Sequence, residues 1–313
     1  MFSLFFQQVS YNFLLEFTFF NLYFFPLFFI FFFIFSSLIN TNIFNKKIAL
    51  IYAIFIFCNT ILLINICIKY FTFYNTQFII EFSLLNLLNI DLIFNLNYFS
   101  LLFILLTNIL ILITTLLSFN YKFKDFCYFI ILIFLIQFFL IWVFSMDDLI
   151  FFFISFEGLL LPFFLLIGLY GSGFRRIRAS LLLFTYTFFG SLFILFSIIY
   201  LYKTYGSTKY EFLLICNFSL LEEQLLWIGF FLSFAIKLPL FPFHIWLPEA
   251  HVEAPTIGSI LLAGILLKMG IYGIIKFIFP LFPNGNLFFA PLVITLSILG
   301  IIYASLTALR QID

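Results

Sequence analysis

Apolar residues run along this chain in blocks of around twenty, long enough to cross the hydrocarbon of a bilayer as helices. The blocks fall near 19–39, 48–68, 98–118, 126–145, 149–170, 179–202, 224–247, 256–279 and 287–306. They predict an all-α, polytopic transmembrane bundle of about nine spans. Between the second and third blocks lies 71–97, mixed and Asn-rich, which predicts a loop with a short interfacial helix.

The polar residues between the blocks orient them. Loops after the first, third, fifth, seventh and ninth spans carry Lys46, Lys47, Lys122, Lys124, Arg175, Arg176, Arg178 and Arg310, against Lys69, Lys203 and Lys209 in the alternate loops, with Lys276 near one helix end. By the positive-inside rule the first set faces the cytoplasm or mitochondrial matrix. For the three arginines, orientation alone is a sufficient role, with contact to a partner subunit as the second. The N-terminus MFSLFFQQVSYNFLLEF has neither the Arg-rich composition of a transit peptide nor a small-residue cleavage site before its apolar run, so no removable presequence is expected.

Composition narrows the classes further. At 65% hydrophobic and 9% charged, with 14 basic against 13 acidic residues, the chain suits a bilayer and offers nucleic acid no basic face. Cys58, Cys67, Cys127 and Cys216 stand singly without CxxC spacing, which reads as buried thiols rather than disulfides, zinc or iron–sulfur ligands. There is no nucleotide loop or GxGxxG fingerprint, so no cofactor is expected on this chain.

Candidate chemistry concentrates where charge and proline interrupt hydrocarbon. The stretch Ala235–Tyr272 reads AIKLPLFPFHIWLPEAHVEAPTIGSILLAGILLKMGIY. Pro239 and Pro242 cannot donate to the carbonyls of Ala235 and Leu238, so the helix bearing Lys237 must break just after it. A discontinuous helix at membrane depth frees carbonyls that protein or water must satisfy. Glu157 sits far from both ends of its own apolar block, with Pro162 freeing the carbonyl of Gly158. Glu157 and Lys237 can act as a proton-exchanging pair or as a fixed ion pair that locks two helices. Lys268, with Gly264 one turn back, can relay protons or bond a neighbouring helix. His244 and His251 are seven apart, could share a helix face but for Pro248, and lack the company of a metal site; a proton path or a structural role are both open to them.

Other polar positions have simpler readings. Asp147 and Asp148, like Glu222 and Glu223, precede helices and suit the positive end of the dipole. Glu249 and Glu253 belong to a surface loop and are placed to cap a helix opening at Thr256. The face of Thr187, Gly190 and Ser191 predicts close packing, with a polar path wall as the second reading.

The run KLPLFPFHIWLPEAHVEAPTIGSILLAGILLKMGIYG resembles a signature of the antiporter-like membrane subunits of respiratory complex I, and of their subunit-4 branch more than the others. Hydrogenases and multi-subunit sodium/proton antiporters share the looser KxPxxPFHxWLPxA core. SFEGLLLPFFLLIGLYGSGFRRIRASLLLFTY and the closing SLTALRQID are also similar to the family, so recognisable motifs run from about Asp91 to Asp313. The resemblance implies a proton-translocating subunit of complex I in the mitochondrial inner membrane, with Glu157 and Lys237 as a pumping pair and Lys268 as a central relay. The redox centres are then on other subunits, and the partners are other membrane-arm subunits and the lipid bilayer. A subunit of a cation/proton antiporter or a non-pumping scaffold are the alternatives.

The family fold is two inverted five-helix repeats flanked by further helices, for about fourteen spans. On that plan, 1–118 holds N-terminal helices, 119–280 the first repeat and 281–313 the start of the second. The missing half is then expected on a separate polypeptide that packs against 290–309, or is lost.

Overall fold

The computed structural model describes residues 26, 28–30, 42–72, 78–85, 90–121 and 125–311. Among them, seven helices are long and apolar enough to cross a membrane. The first expected span, 19–39, and the loop lysines Lys122 and Lys124 lie largely outside the described residues. The Lys237 helix is not one of the seven, because it is cut to 18 residues and carries Glu222, Glu223 and Lys237. The described chain divides into two compact units, one within 1–80 and 94–146, the other within 81–93 and 147–313.

In the first unit, α1 (Asn42–Thr72) packs on α2 (Tyr98–Ser118), and α2 on α3 (Phe126–Ser145). Their core is aliphatic and aromatic, crossed by one polar rung. Tyr52 donates to Gln137 Oε1, and Gln137 Nε2 donates to Asn108 Oδ1 at 3.0 Å. All three are buried. Where no water competes, such bonds fix the register of neighbouring helices. The buried hydroxyls of Thr107, Thr114, Thr115 and Ser118 return to carbonyls of their own helix, so α2 buries them without an unpaired donor.

The stretch 71–97 departs from expectation. Phe78–Leu85 (β1) and Ile90–Leu96 (β2) form a two-stranded sheet in place of an interfacial helix. Both segments alternate around β-branched and aromatic residues, FIIEFSLL and IDLIFNL, a period of two that the Asn-rich context masked. The cysteines also differ in part: all four are free, but only Cys127 is buried, while Cys58 is exposed.

The second unit is built from α4 (Leu149–Gly158), α5 (Leu160–Tyr170), α6 (Arg176–Tyr205), α7 (Tyr210–Ile215), α8 (Leu220–Lys237), α9 (Trp246–Glu253), α10 (Thr256–Leu281) and α11 (Pro283–Arg310). α8 is its axis and packs against α6, α10 and α11. Small residues permit this closeness. A Cβ on Gly190 of α6 would come within 2.9 Å of Ile236, and one on Gly270 of α10 within 2.7 Å of Leu238. One on Gly273 would enter the Phe234 ring. The expected packing face of α6 is therefore real: Thr187, Gly190 and Ser191 are buried.

Loops close the two ends of this unit. At one end, the Asp148 side chain accepts from Ile150 N at 2.8 Å, capping α4, and from Thr208 Oγ1 at 2.9 Å. Glu223 accepts from Asn284 Nδ2 and Gly285 N, tying the start of α8 to the start of α11. At the other, Arg176 donates to the carbonyls of Leu169 and Gly171, and Arg178 lies 3.7 Å from Glu249. Those pairings put 171–178 and 244–256 at one end and 205–223 and 282–286 at the other, which agrees with the alternation of loop charge.

Candidate functional site

The expected break follows Lys237 directly. α8 starts on a capping box, with Ser219 and Glu222 exchanging side-chain and backbone bonds, and stops at Lys237 because Pro239 and Pro242 cannot continue it. Two carbonyls at the break, however, are not left for water. Leu240 N donates to Ala235 O at 3.0 Å, and the fully buried Trp246 donates its indole N–H to Ile236 O at 2.9 Å. The chain thus folds back on the broken end and seals it with its own donors.

That seal leaves the ammonium of Lys237 inside protein. Its side chain is wholly buried, and Nζ donates to the carbonyl of Phe156 at 3.0 Å while lying 3.0 Å from the centre of the Phe156 ring. Phe156 is one residue before Glu157, where α4 and α5 are separated by a turn at Leu159. Pro162, unable to donate to Gly158, explains the interruption. Glu157 is the charged neighbour of Lys237, with Ser191 of α6 beside the carboxyl. Among the described residues no direct ion pair joins them, and Glu157 Oε1 is buried without a hydrogen-bond partner. An ammonium held by a neutral carbonyl and a ring, near a carboxyl with an unused oxygen, is not fixed in one charge arrangement.

Two further groups belong to this site. Ser233, one turn before Lys237 on α8, is buried with its hydroxyl unpartnered among the described residues. Its i, i+4 spacing to Lys237 was the available signal. Ser191 stands beside the carboxyl, so the closely packed face of α6 also carries a polar group at this site.

Lys268 is half-buried on α10, between π turns at Leu262–Leu266 and Ile274–Ile278. Such turns widen a helix locally and are frequent at functional positions. His244 lies in the turn before α9, with its ring 5.7 Å from Phe241 and 5.0 Å from Tyr303, and Nδ1 buried without a partner among the described residues. His251 is in the last turn of α9, so the two histidines do not share a helix face. The helix opening at Thr256 has no side-chain cap. Glu249 and Glu253 are instead within α9, Glu249 facing Arg178 and the Glu253 carboxylate filling the space beside Gly173.

Asp147 is more than a dipole partner at the start of α4. Its carboxylate lies 2.7 Å from the ammonium of Lys276, with both side chains almost fully buried. The sequence separates the two by most of the unit, and only the packing of α10 beside the start of α4 brings them together.

A broken helix that buries a lysine beside a carboxyl, within a bundle of apolar helices, defines the class as an antiporter-like membrane protein. A family model described as NADH:quinone oxidoreductase/Mrp antiporter, transmembrane, matches residues 146–313. The chain belongs to this family and is a multi-pass membrane protein.

The chain is 50% identical over 214 residues to NADH-ubiquinone oxidoreductase chain 4 of Chondrus crispus, covering 68% of this chain and 44% of that one. With the protein of the same name from Marchantia polymorpha it shares 43% over 285 residues, 88% of this chain and 57% of the relative. Among solved structures, respiratory complex I from Thermus thermophilus with bound NADH superposes with a TM-score of 0.70 at 27% identity, over 81% of this chain and 52% of the matched one. The chain spans about half the length of the curated relatives it matches.

Proposed function

We propose that this chain is a proton-translocating membrane-arm subunit of mitochondrial respiratory complex I, working with other membrane-arm subunits in the mitochondrial inner membrane. NADH oxidation and ubiquinone reduction take place on other subunits, and this chain carries no redox centre. The observation that carries the reading is Lys237, wholly buried at a helix break, bonded to the Phe156 carbonyl and next to a Glu157 carboxyl that keeps an unused oxygen. Relatives named NADH-ubiquinone oxidoreductase chain 4 support it.

The mechanism follows from the two groups. With Lys237 charged, the ammonium attracts the ionised carboxylate of Glu157; a proton passed from one to the other neutralises both and removes that attraction. Each change of state alters what the next site, Lys268, experiences. Moving one charge against about 100 mV needs about 2.3 kcal/mol, a sum that rearranging charges in a low-dielectric interior can supply. His244 and His251, at the end of the unit with 171–178, are suited to hand protons to this region.

The test is Glu157→Gln in the intact complex. The expected result is a lower ratio of protons moved to electrons transferred in sealed vesicles, with the complex still assembled. An unchanged ratio would return the chain to a scaffold role. Partners separate the remaining alternative: co-purification with antiporter subunits instead of quinone reductase subunits would make it a cation/proton antiporter component.

We also propose that the apolar surface of α11, exposed along most of Pro283–Arg310, is covered by the membrane helices of a second repeat carried on a separate polypeptide. Cross-linking from Leu299 or Leu306 followed by mass spectrometry checks it. Capture of lipid or an unrelated subunit alone would defeat it.

A further inference from the structure

Lys268, Tyr272 and Lys276 recur every fourth residue on α10 and therefore lie along one face of it. Tyr272 is 1% exposed. Its ring centre is 5.5 Å from the ammonium of Lys276, which in turn lies 2.7 Å from Asp147 Oδ1. The row thus begins at a half-buried lysine within the membrane and ends at a carboxylate. That carboxylate stands at the loop end of the unit: Asp147 N donates to Ile93 O, Tyr210 N donates to Asp147 O, and the backbone of Asp148 pairs with that of Lys209 in an isolated antiparallel β-bridge. The Lys276 end of α10 is wound as a π turn, whose looser hydrogen bonding permits a change of register.

We propose that Asp147 and Lys276 are the closing pair of a proton branch that runs from Lys268 through the Tyr272 hydroxyl to the end of the unit bearing Thr208 and Lys209. The proposal rests on the reading of Lys268 as a proton relay. While the ammonium of Lys276 holds it, the Asp147 carboxylate is a poor proton acceptor. When the pair parts, the Lys268 ammonium gives a proton to the Tyr272 oxygen as the O–H proton of Tyr272 passes to the carboxylate. Lys268 becomes neutral, Asp147 becomes a neutral acid, Tyr272 is unchanged, and one proton has moved. Lys276 is a positioning residue, since it controls the acceptor without carrying the proton.

The test is Lys276→Gln in the intact complex, reconstituted in sealed vesicles: it keeps the acceptor carboxylate and removes the group that holds it. Passive proton permeability is read without NADH or quinone, from the decay of an imposed pH gradient. The expected result is a severalfold faster decay, abolished when Asp147→Asn is added, which removes the acceptor, or when Tyr272→Phe is added. Decay at the unaltered rate, or a leak that Tyr272→Phe leaves in place, would overturn the proposal. If Lys276→Gln, which leaves the carboxylate buried without its ammonium, fails to assemble, Tyr272→Phe alone decides. It keeps the pair and should lower the proton-to-electron ratio, and an unchanged ratio would overturn the branch. Because the leak is measured without turnover, it is independent of Glu157: loss of pumping in Glu157→Gln without any leak in Lys276→Gln keeps the pumping reading and rejects this one.

Discussion

Lys237 and Lys276 are both buried ammoniums in the same unit, yet they are held in opposite ways. Lys276 has a carboxylate at 2.7 Å, whereas Lys237 has a backbone carbonyl and a ring face at 3.0 Å, with its carboxyl neighbour not in direct contact. The contrast shows how one fold can keep one charge pair shut and another adjustable. A direct buried ion pair gains strongly from the low dielectric and resists separation. An ammonium on a neutral carbonyl gains less from its charge and can change partner or give up its proton at lower cost.

Breaking the tighter pair should have the largest effect. Lys276→Met leaves the Asp147 carboxylate buried and unpaired, an expected loss of about 3–5 kcal/mol seen as poor assembly or early thermal inactivation of the complex. Adding Asp147→Asn should restore much of it, and failure to do so would mean the two sites do not interact.

The looser site should lose function before stability. Lys237→Met frees one carbonyl, at an expected cost of about 1–3 kcal/mol, so the complex should assemble with a reduced proton-to-electron ratio. Equal loss of assembly and pumping would show Lys237 held as tightly as Lys276 and erase the contrast.

Ser233→Ala sharpens the comparison most finely. The hydroxyl has no partner among the described residues, so its removal should shift thermal stability by no more than about 0.5 kcal/mol. Its position one turn from Lys237 predicts a modest slowing of proton translocation, smaller than that of Lys237→Met, measurable as the rate of vesicle acidification.

Much of this was legible beforehand, and particular residues show why. Pro239 removes a donor wherever it stands in a helix, so the break after Lys237 could be placed to the residue. The carbonyl it frees, that of Ala235, could be named as well, but not its partner Leu240 N, nor that Trp246 would reach Ile236 O, because both depend on the chain doubling back. Ser219 and Glu222 spell a capping box in the sequence itself, a stronger helix-start signal than the charge of Glu222 at the dipole alone. The strands at Phe78–Leu85 and Ile90–Leu96 were obscured because a period of two over eight residues or fewer is weak against an Asn-rich background.

By itself the sequence determined the membrane class, the helical blocks, the alternation of loop charge, the broken helix and the identity of the buried titratable residues. Each of these follows from local chemistry: apolar length against bilayer thickness, proline against the helical ladder, charge against hydrocarbon. Tertiary structure alone decided which charges meet. Asp147 pairs with Lys276 and Glu223 with the start of α11, while Glu157 and Lys237 stay apart, because side-chain partners far apart in the chain are set by how α4, α8, α10 and α11 pack. Glycines at 190, 270 and 273 fix that packing by letting helices approach closely enough to make or deny those contacts.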